Sequence, residues 1–466
     1  VVQRYLNAIG MPVRFCTPST VQHDDLPSLA RPPARPRALV DREPDEGRPH
    51  RGGRAVHRSI TRTYLKHYAN AQRGAAGLMP LTGAQRRFHH TRSADPQERV
   101  RILPVFLEFP PGLLDTGRLE RAARSVLRRH PALRGAADTV DGVPLLRIGP
   151  VPEGPLVRET ADPDPDAAAW AALDGRSAGK GPFRVVLVRD DRRDLLAIGF
   201  DHLVCDGEST GLVLEELMSA YRSGEEAPES AVAAELSRYR EAVERQLERE
   251  HEASGPEALA HWTARVRDAG PGRWGREPGE RGGQATAWQR VALPGPVADR
   301  PFPALLAACH TALSRTPGTA PVAYTWGSPD GAGVVGCFIN TVLANPQGDG
   351  VREAWWEDLE FVDTPFDEVV RAARAGGAPW TGHLDLVLTL VDLTRRPAPV
   401  LDGVPGRFRY PPGHRMEDPV IVTAVHGGTE LSLRIDHDPL IVPGADATAI
   451  ADALGASFTE ADRVAD

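Results

Sequence analysis

Between Asp194 and Thr210 the chain reads DLLAIGFDHLVCDGEST, and within it His202, Asp206 and Gly207 have the types and spacing that proton transfer uses. Imidazole is the side chain whose ordinary pKa lies nearest neutrality. A histidine delivered at a strand end, followed by an Asp four residues on and a Gly that lets the backbone turn, can be oriented without the carboxylate touching it. In that position it can take the proton of an attacking nucleophile. The same pattern also describes a core histidine beside an ordinary turn, so spacing alone leaves both readings open.

The elements around the motif are legible. Leu196, Ile198, Phe200 and His202 alternate with Leu195, Ala197, Gly199 and Asp201, a period of two that predicts a strand carrying His202 along an apolar file toward the interior. Upstream, GPFRVVLVRDDRRDLLAIGF reads as strand, polar turn and strand, a supporting hairpin. Downstream, Ser209 is placed to cap a helix whose apolar positions are Leu212, Val213, Leu217 and Tyr221. Cys205 sits inside the motif loop and reads as a small buried hydrophobe rather than a nucleophile.

Composition narrows the function classes. A chain of 466 residues can bury two cores, and a net charge of −8 argues against nucleic acid as a partner, because phosphate binding needs a clustered basic surface. The four cysteines, Cys16, Cys205, Cys309 and Cys337, show no CxxC pairing, which predicts reduced thiols and a cytoplasmic protein. No apolar run approaches the ~18 residues of a membrane span, and the N-terminus lacks signal-peptide organisation, so no membrane association is expected. His89-His90, and His437 between Asp436 and Asp438, lack HExxH spacing or a cysteine partner, so no metal is expected. Without a GxSxG elbow or a P-loop, activation has to arrive in the substrate itself.

Along the chain, residues 1–77, with an Arg/Pro/Gly-rich run from Arg31 to Arg54, read as disordered; the functional alternative is a docking arm for an acidic partner. Residues 78–228 form a first lobe with alternating strand and helix patterns, 223–231 a connector, and 229–466 a second lobe. Residues 232–268 are predicted helical. So is 302–315, and a last helix begins near Asp446. Strands are predicted at 321–326, 334–344, 384–392, 419–426 and 431–437.

Four blocks beyond the tetrad carry a resemblance. Pro80-Leu81-Thr82-Gly83-Ala84-Gln85-Arg86-Arg87-Phe88, Arg129-His130-Pro131-Ala132-Leu133-Arg134, Gly336-Cys337-Phe338-Ile339-Asn340-Thr341 and Thr364-Pro365-Phe366-Asp367-Glu368 follow in order. With His202-x-x-x-Asp206-Gly207 they resemble the condensation domains of nonribosomal peptide synthetases, members of the chloramphenicol acetyltransferase-like superfamily, over roughly residues 78 to 462. The chain departs from that pattern in three places. Asp201 stands where the family usually has a first histidine, the stretch from Thr341 to Pro365 is short, and Gly135-Ala136-Ala137 replaces the usual Thr-x-Phe.

The resemblance implies an α/β fold of two chloramphenicol acetyltransferase-like lobes in a V-shaped arrangement, with the site at the lobe junction and a tunnel entered from opposite faces. It implies a freestanding condensation enzyme of natural-product biosynthesis, joining a carrier-bound acyl thioester to an amine or alcohol. A coenzyme-A-dependent acyltransferase and a non-catalytic recruitment module are the alternatives. His202 is then the catalytic residue, and Asp206 is structural and pairs with an arginine, for which Arg134 is the matching candidate. Backbone N–H groups around Gly207 can meet the tetrahedral oxyanion. Asp201 is either an ordinary strand-end carboxylate or one that holds a cationic acceptor or raises the basicity of the imidazole. Asn340 is a candidate substrate or loop contact, or else a strand-end amide bonding backbone. No bound cofactor is expected; the phosphopantetheine thioester of a carrier protein or coenzyme A is a substrate arm. The expected partners are an acyl or peptidyl carrier protein in trans, since no adenylation or carrier segment is recognisable, and a small-molecule amine or alcohol acceptor.

Overall fold

The structure is a computed structural model that describes residues 59–71, 77–94, 101–174, 181–267, 269–270, 272–274, 283–293, 295–298, 301–314, 321–344, 350–380, 382–393, 399–413, 416 and 418–464. Two sheets dominate a mixed α/β architecture. The first has five strands in the order Arg407–Arg409, Ile102–Phe109, Asp194–Asp201, Phe183–Arg189 and Val157–Ala161. The expected hairpin is present, with Phe183 opposite Phe200 and Arg189 opposite Asp194. Every position of Asp194–Asp201 is buried, so this strand is covered on both faces. Leu196, Ile198 and Phe200 enter the main core of the first lobe, and Leu195 and Ala197 pack on the other side with Phe106 and Leu173.

The second sheet has six strands, ordered Ile339–Ala344, Val322–Gly327, Leu386–Asp392, Val420–His426, Glu430–His437 and Ala285–Ala292. One face packs against the helices Pro301–Ser314 and Gly444–Val464 through Tyr324, Leu388, Val422 and Leu433. The strand predicted over 334–344 begins only at Ile339. Before it the backbone folds over the Phe338 ring, where a Cβ on Gly336 would lie 2.2 Å from that ring. The helix expected from residue 232 onward is two helices, Glu229–Glu252 and Pro256–Arg265, because Pro256 cannot continue the first and starts the second.

Three expectations about organisation change. Residues 1–58 lie outside the described residues, but Ile60–Ala71, within the segment read as disordered, is a helix that buries Tyr64 in the first core. Ser59 Oγ and the Thr61 amide both donate to Glu368 Oε1, which ties that helix to the second half of the chain. The apolar face of Glu229–Glu252, through Tyr239, Ala242, Val243 and Leu247, belongs to the first core, so the cores do not divide at residue 228. Arg407–Arg409, far along the chain, adds an antiparallel edge strand to the first sheet beside Ile102–Phe109.

Candidate active site

His202 follows directly on the buried strand, and its side chain is itself buried, at 8% exposure. Its backbone N–H donates to the Arg101 carbonyl (2.8 Å), which holds the turn against the neighbouring strand. Nδ1 lies 3.0 Å from the carbonyl oxygen of Cys205. A carbonyl only accepts, so Nδ1 carries the proton and Nε2 the lone pair. Nε2 has no hydrogen-bond partner among the described residues. The Phe88 ring stacks obliquely on the imidazole, with centroids 4.5 Å apart. Burial, helped by the positive charges of Arg101 and Arg87, lowers the His202 pKa to about 3, so the ring is a neutral acceptor across the physiological range.

The motif loop is fixed by groups from distant parts of the chain. Asp206 is the N-cap of the helix Gly207–Ser223: Oδ1 accepts from the Ser209 amide (2.8 Å), and Oδ2 accepts from the Phe338 amide (2.9 Å). The cap is therefore Asp206 and not Ser209, whose hydroxyl instead donates to the Gly336 carbonyl and accepts from the Gly336 amide. The Gln85 side-chain amide donates to the Leu203 carbonyl (2.7 Å), and Thr82 Oγ1 donates to the Cys337 carbonyl. Burial pushes the Cys205 thiol well above its ordinary range, which fits packing and not nucleophilic attack.

The expected Asp206–Arg134 pair is not formed. Arg134 Nη1 donates to the Gly149 carbonyl (2.8 Å), and burial lowers its pKa with no carboxylate to offset that. Two backbone amides satisfy Asp206 where a guanidinium was expected, because the Gly336 block folds directly over the cap.

Asp201 is engaged at the end of its strand. Its Oδ1 accepts from the Leu203 amide (3.0 Å), and its Oδ2 pairs with Arg92 Nη1 at 3.3 Å. The strand-end reading describes it, with the addition of a charged partner. Asn340 likewise takes the structural alternative: Nδ2 donates to the Val362 and Thr364 carbonyls, both at 2.7 Å, and Oδ1 accepts from the Thr341 amide. Both donor hydrogens hold the strand to the next loop, and neither is left for substrate. Gly207 needs no left-handed backbone. A Cβ there would meet nothing within 4 Å, so the start of the helix has open space beside it.

Residues missed in the sequence complete the site. Arg87 donates to Thr341 Oγ1 (2.6 Å) with its guanidinium 4.3 Å from the Phe366 ring centroid. Arg101 lies 5.4 Å from the Phe88 centroid and 3.6 Å from Asp418, in the bend just before the strand Val420–His426. Arg86 is buried and joins Glu250 (3.3 Å), Asp367 (3.2 Å) and Thr61 (3.0 Å). The opening block contains Arg86, Arg87 and Phe88, but a linear motif does not say which of them turns toward the histidine. Among the described residues no group of three or more His, Cys, Asp or Glu is placed to hold a metal ion, and no helix is long and apolar enough to cross a membrane.

With this geometry in place, comparison with known proteins is informative. Residues 75–271 match the family described as Condensation domain. Tyrocidine synthase 2 of Brevibacillus parabrevis is 31% identical over 147 residues, which is 31% of this chain and 4% of that protein. The chain therefore spans a small fraction of that relative. The X-domain in complex with OxyB from teicoplanin biosynthesis has a TM-score of 0.62 at 19% identity, covering 84% of this chain and 94% of that one. The first condensation domain of the CDA synthetase has a TM-score of 0.57 at 20% identity, covering 83% and 98%. Those two likenesses are of fold. The family match is thus confined to residues 75–271, and the described residues have the mixed α/β fold of the solved condensation domain.

Proposed function

We propose that the chain is an acyltransferase of the condensation type, joining an acyl thioester to an amine or alcohol acceptor to give an amide or ester. The acyl group rides on the phosphopantetheine arm of an acyl or peptidyl carrier protein acting in trans. A thioester carbonyl is already electrophilic, so the site has to align the acceptor and manage one proton. The acceptor nitrogen or oxygen bonds to the carbonyl carbon, His202 Nε2 takes the acceptor's proton, the C–S bond breaks, and the thiolate recovers the proton. Backbone amides at the start of the helix Gly207–Ser223 lie at its positive end and are candidates to meet the oxyanion.

The observation that carries this reading is the fixed tautomer of His202. The Cys205 carbonyl holds the proton on Nδ1, and a neutral Nε2 is left as acceptor. Intact-mass detection of acyl loss from loaded carrier proteins, with amines and alcohols offered in parallel, tests it. Acyl-coenzyme A as donor in a separate arm tests the coenzyme-A-dependent alternative.

Asp201 in place of a first histidine favours a second reading, a non-catalytic recruitment module. That reading expects binding of a partner protein with no acyl loss from any carrier.

A further inference from the structure

We infer that Thr325, Thr389 and Thr423 are specificity-determining side chains, selecting a substrate chain that carries hydrogen-bonding groups over a plain hydrocarbon chain of equal length. This rests on the reading that His202 is the reacting centre. The inference comes from the register of the second sheet. Thr341 lies opposite Thr325, and Thr389 opposite Thr423. The Thr325 and Thr389 hydroxyls join the two pairs at 3.2 Å. The row continues through Arg434 to Trp288. Side chains in register on adjacent strands share a face. This row therefore crosses the sheet, with about 4.8 Å between strands and roughly 19 Å from Thr341 to Arg434.

One end of the row is the catalytic neighbourhood. Arg87, whose charge acts on His202, donates to Thr341 Oγ1. At the other end the Arg434 guanidinium lies 4.9 Å from the Tyr410 ring centroid, and Tyr410 packs on the half-exposed Trp288.

Strand propensity does not account for the pattern, since valine and isoleucine serve a strand as well as threonine. On the same face the flanking rows carry Ala323, Val387 and Ile421 on one side and Gly327, Val391 and Val425 on the other, with no hydroxyl in these three strands. In these strands hydroxyls on this face occupy only the row that leads from Arg87, while Ser432 and Thr286 bring hydroxyls to the flanking rows in the two outer strands. All four threonines are partly exposed, whereas Tyr324, Leu388 and Val422, one residue along on the opposite face, are fully buried. A hydroxyl offers one donor and two acceptor sites. The Thr325–Thr389 contact uses one donor, and Thr423 Oγ1 has no partner among the described residues. Over the three central strands the row thus has unused hydrogen-bonding capacity between apolar rails, which suits an extended chain of alternating methylene and amide groups.

The test compares two N-acetylcysteamine thioesters of equal chain length, N-propionyl-β-alanyl and heptanoyl, by calorimetric dissociation constants on the parent and on Thr325→Val/Thr389→Val. The exchange keeps side-chain volume and strand propensity, and thermal unfolding checks that the variant folds. The parent is expected to bind the amide-bearing probe more tightly, and the variant to lose about tenfold for that probe alone. Equal or tighter heptanoyl binding by the parent, equal losses for both probes, or no saturable binding of either overturns the inference. Binding is read without turnover. Loss of acyl transfer with this binding pattern intact therefore counts against the proposed reaction and not against the threonine row.

Discussion

The imidazole of His202 gives its Nδ1 proton to the carbonyl of Cys205, three residues on and 3.0 Å away. One bond within the loop thereby sets the tautomer, the ring plane and the direction of the lone pair. No carboxylate takes part, so the base is oriented by backbone. Asp206 acts one step further out: it caps the helix and, through the Phe338 amide, ties the loop to the second half of the chain.

Asp206→Ala should lower stability by about 1 kcal/mol for the lost cap and by a further 1–3 kcal/mol, roughly, for the buried Phe338 amide left without an acceptor. Arg134→Ala loses only its bond to Gly149, about 1 kcal/mol. A double-mutant cycle by chemical denaturation should show the two effects adding to within about 0.5 kcal/mol. A larger coupling would restore the direct pair that the structure replaces.

Asp201→Asn keeps an acceptor for the Leu203 amide and removes the charge opposite Arg92. Turnover should change by less than about tenfold, or ~1.4 kcal/mol in barrier. The acidic limb of the pH–rate profile should stay where it is. Movement of that limb to lower pH on substitution would show that the carboxylate does tune His202.

Two buried histidines should leave opposite marks on stability. Burial alone would lower the pKa of His130, but Glu216 at 2.8 Å and Glu235 at 3.7 Å prevail and raise it. Its contribution is therefore complete below the unfolded value near 6.5 and is lost as pH rises through the folded one. The stability gap between the parent and His130→Gln should be widest in acid and narrow as pH rises. His202 is lowered to about 3, so it withdraws stability as pH falls from about 6.5 toward that value. Denaturant titrations across pH check both, and a gap for His130 that widens with rising pH would contradict the ion cluster.

The sequence carried the local part of this picture. Alternation from Leu195 to Phe200 marks the strand, the DDRRD turn marks the hairpin, and the spacing of Val213, Leu217 and Tyr221 marks the helix, because each of these signals lies within one element. What it did not carry is long-range. Phe338 reaches Asp206 across 132 positions, and Arg407–Arg409 pairs with a strand some 300 residues earlier. No periodicity encodes such contacts. Ile60–Ala71 was hidden by the Arg/Pro/Gly composition just before it, although Tyr64 already marked a buried face. Asn340 has the donors of a substrate contact, and only the positions of the Val362 and Thr364 carbonyls show that they are occupied.

The most direct test of the account is intact-mass measurement of acyl transfer from a loaded carrier protein by the parent and by His202→Ala, with thermal unfolding recorded for both. Removing the proton acceptor should cost about 10²–10⁴ in turnover and leave a protein that still unfolds cooperatively, with a midpoint lowered only by the lost bond to Cys205, about 1 kcal/mol. A His202→Ala protein that keeps most of the parental rate would contradict the catalytic assignment.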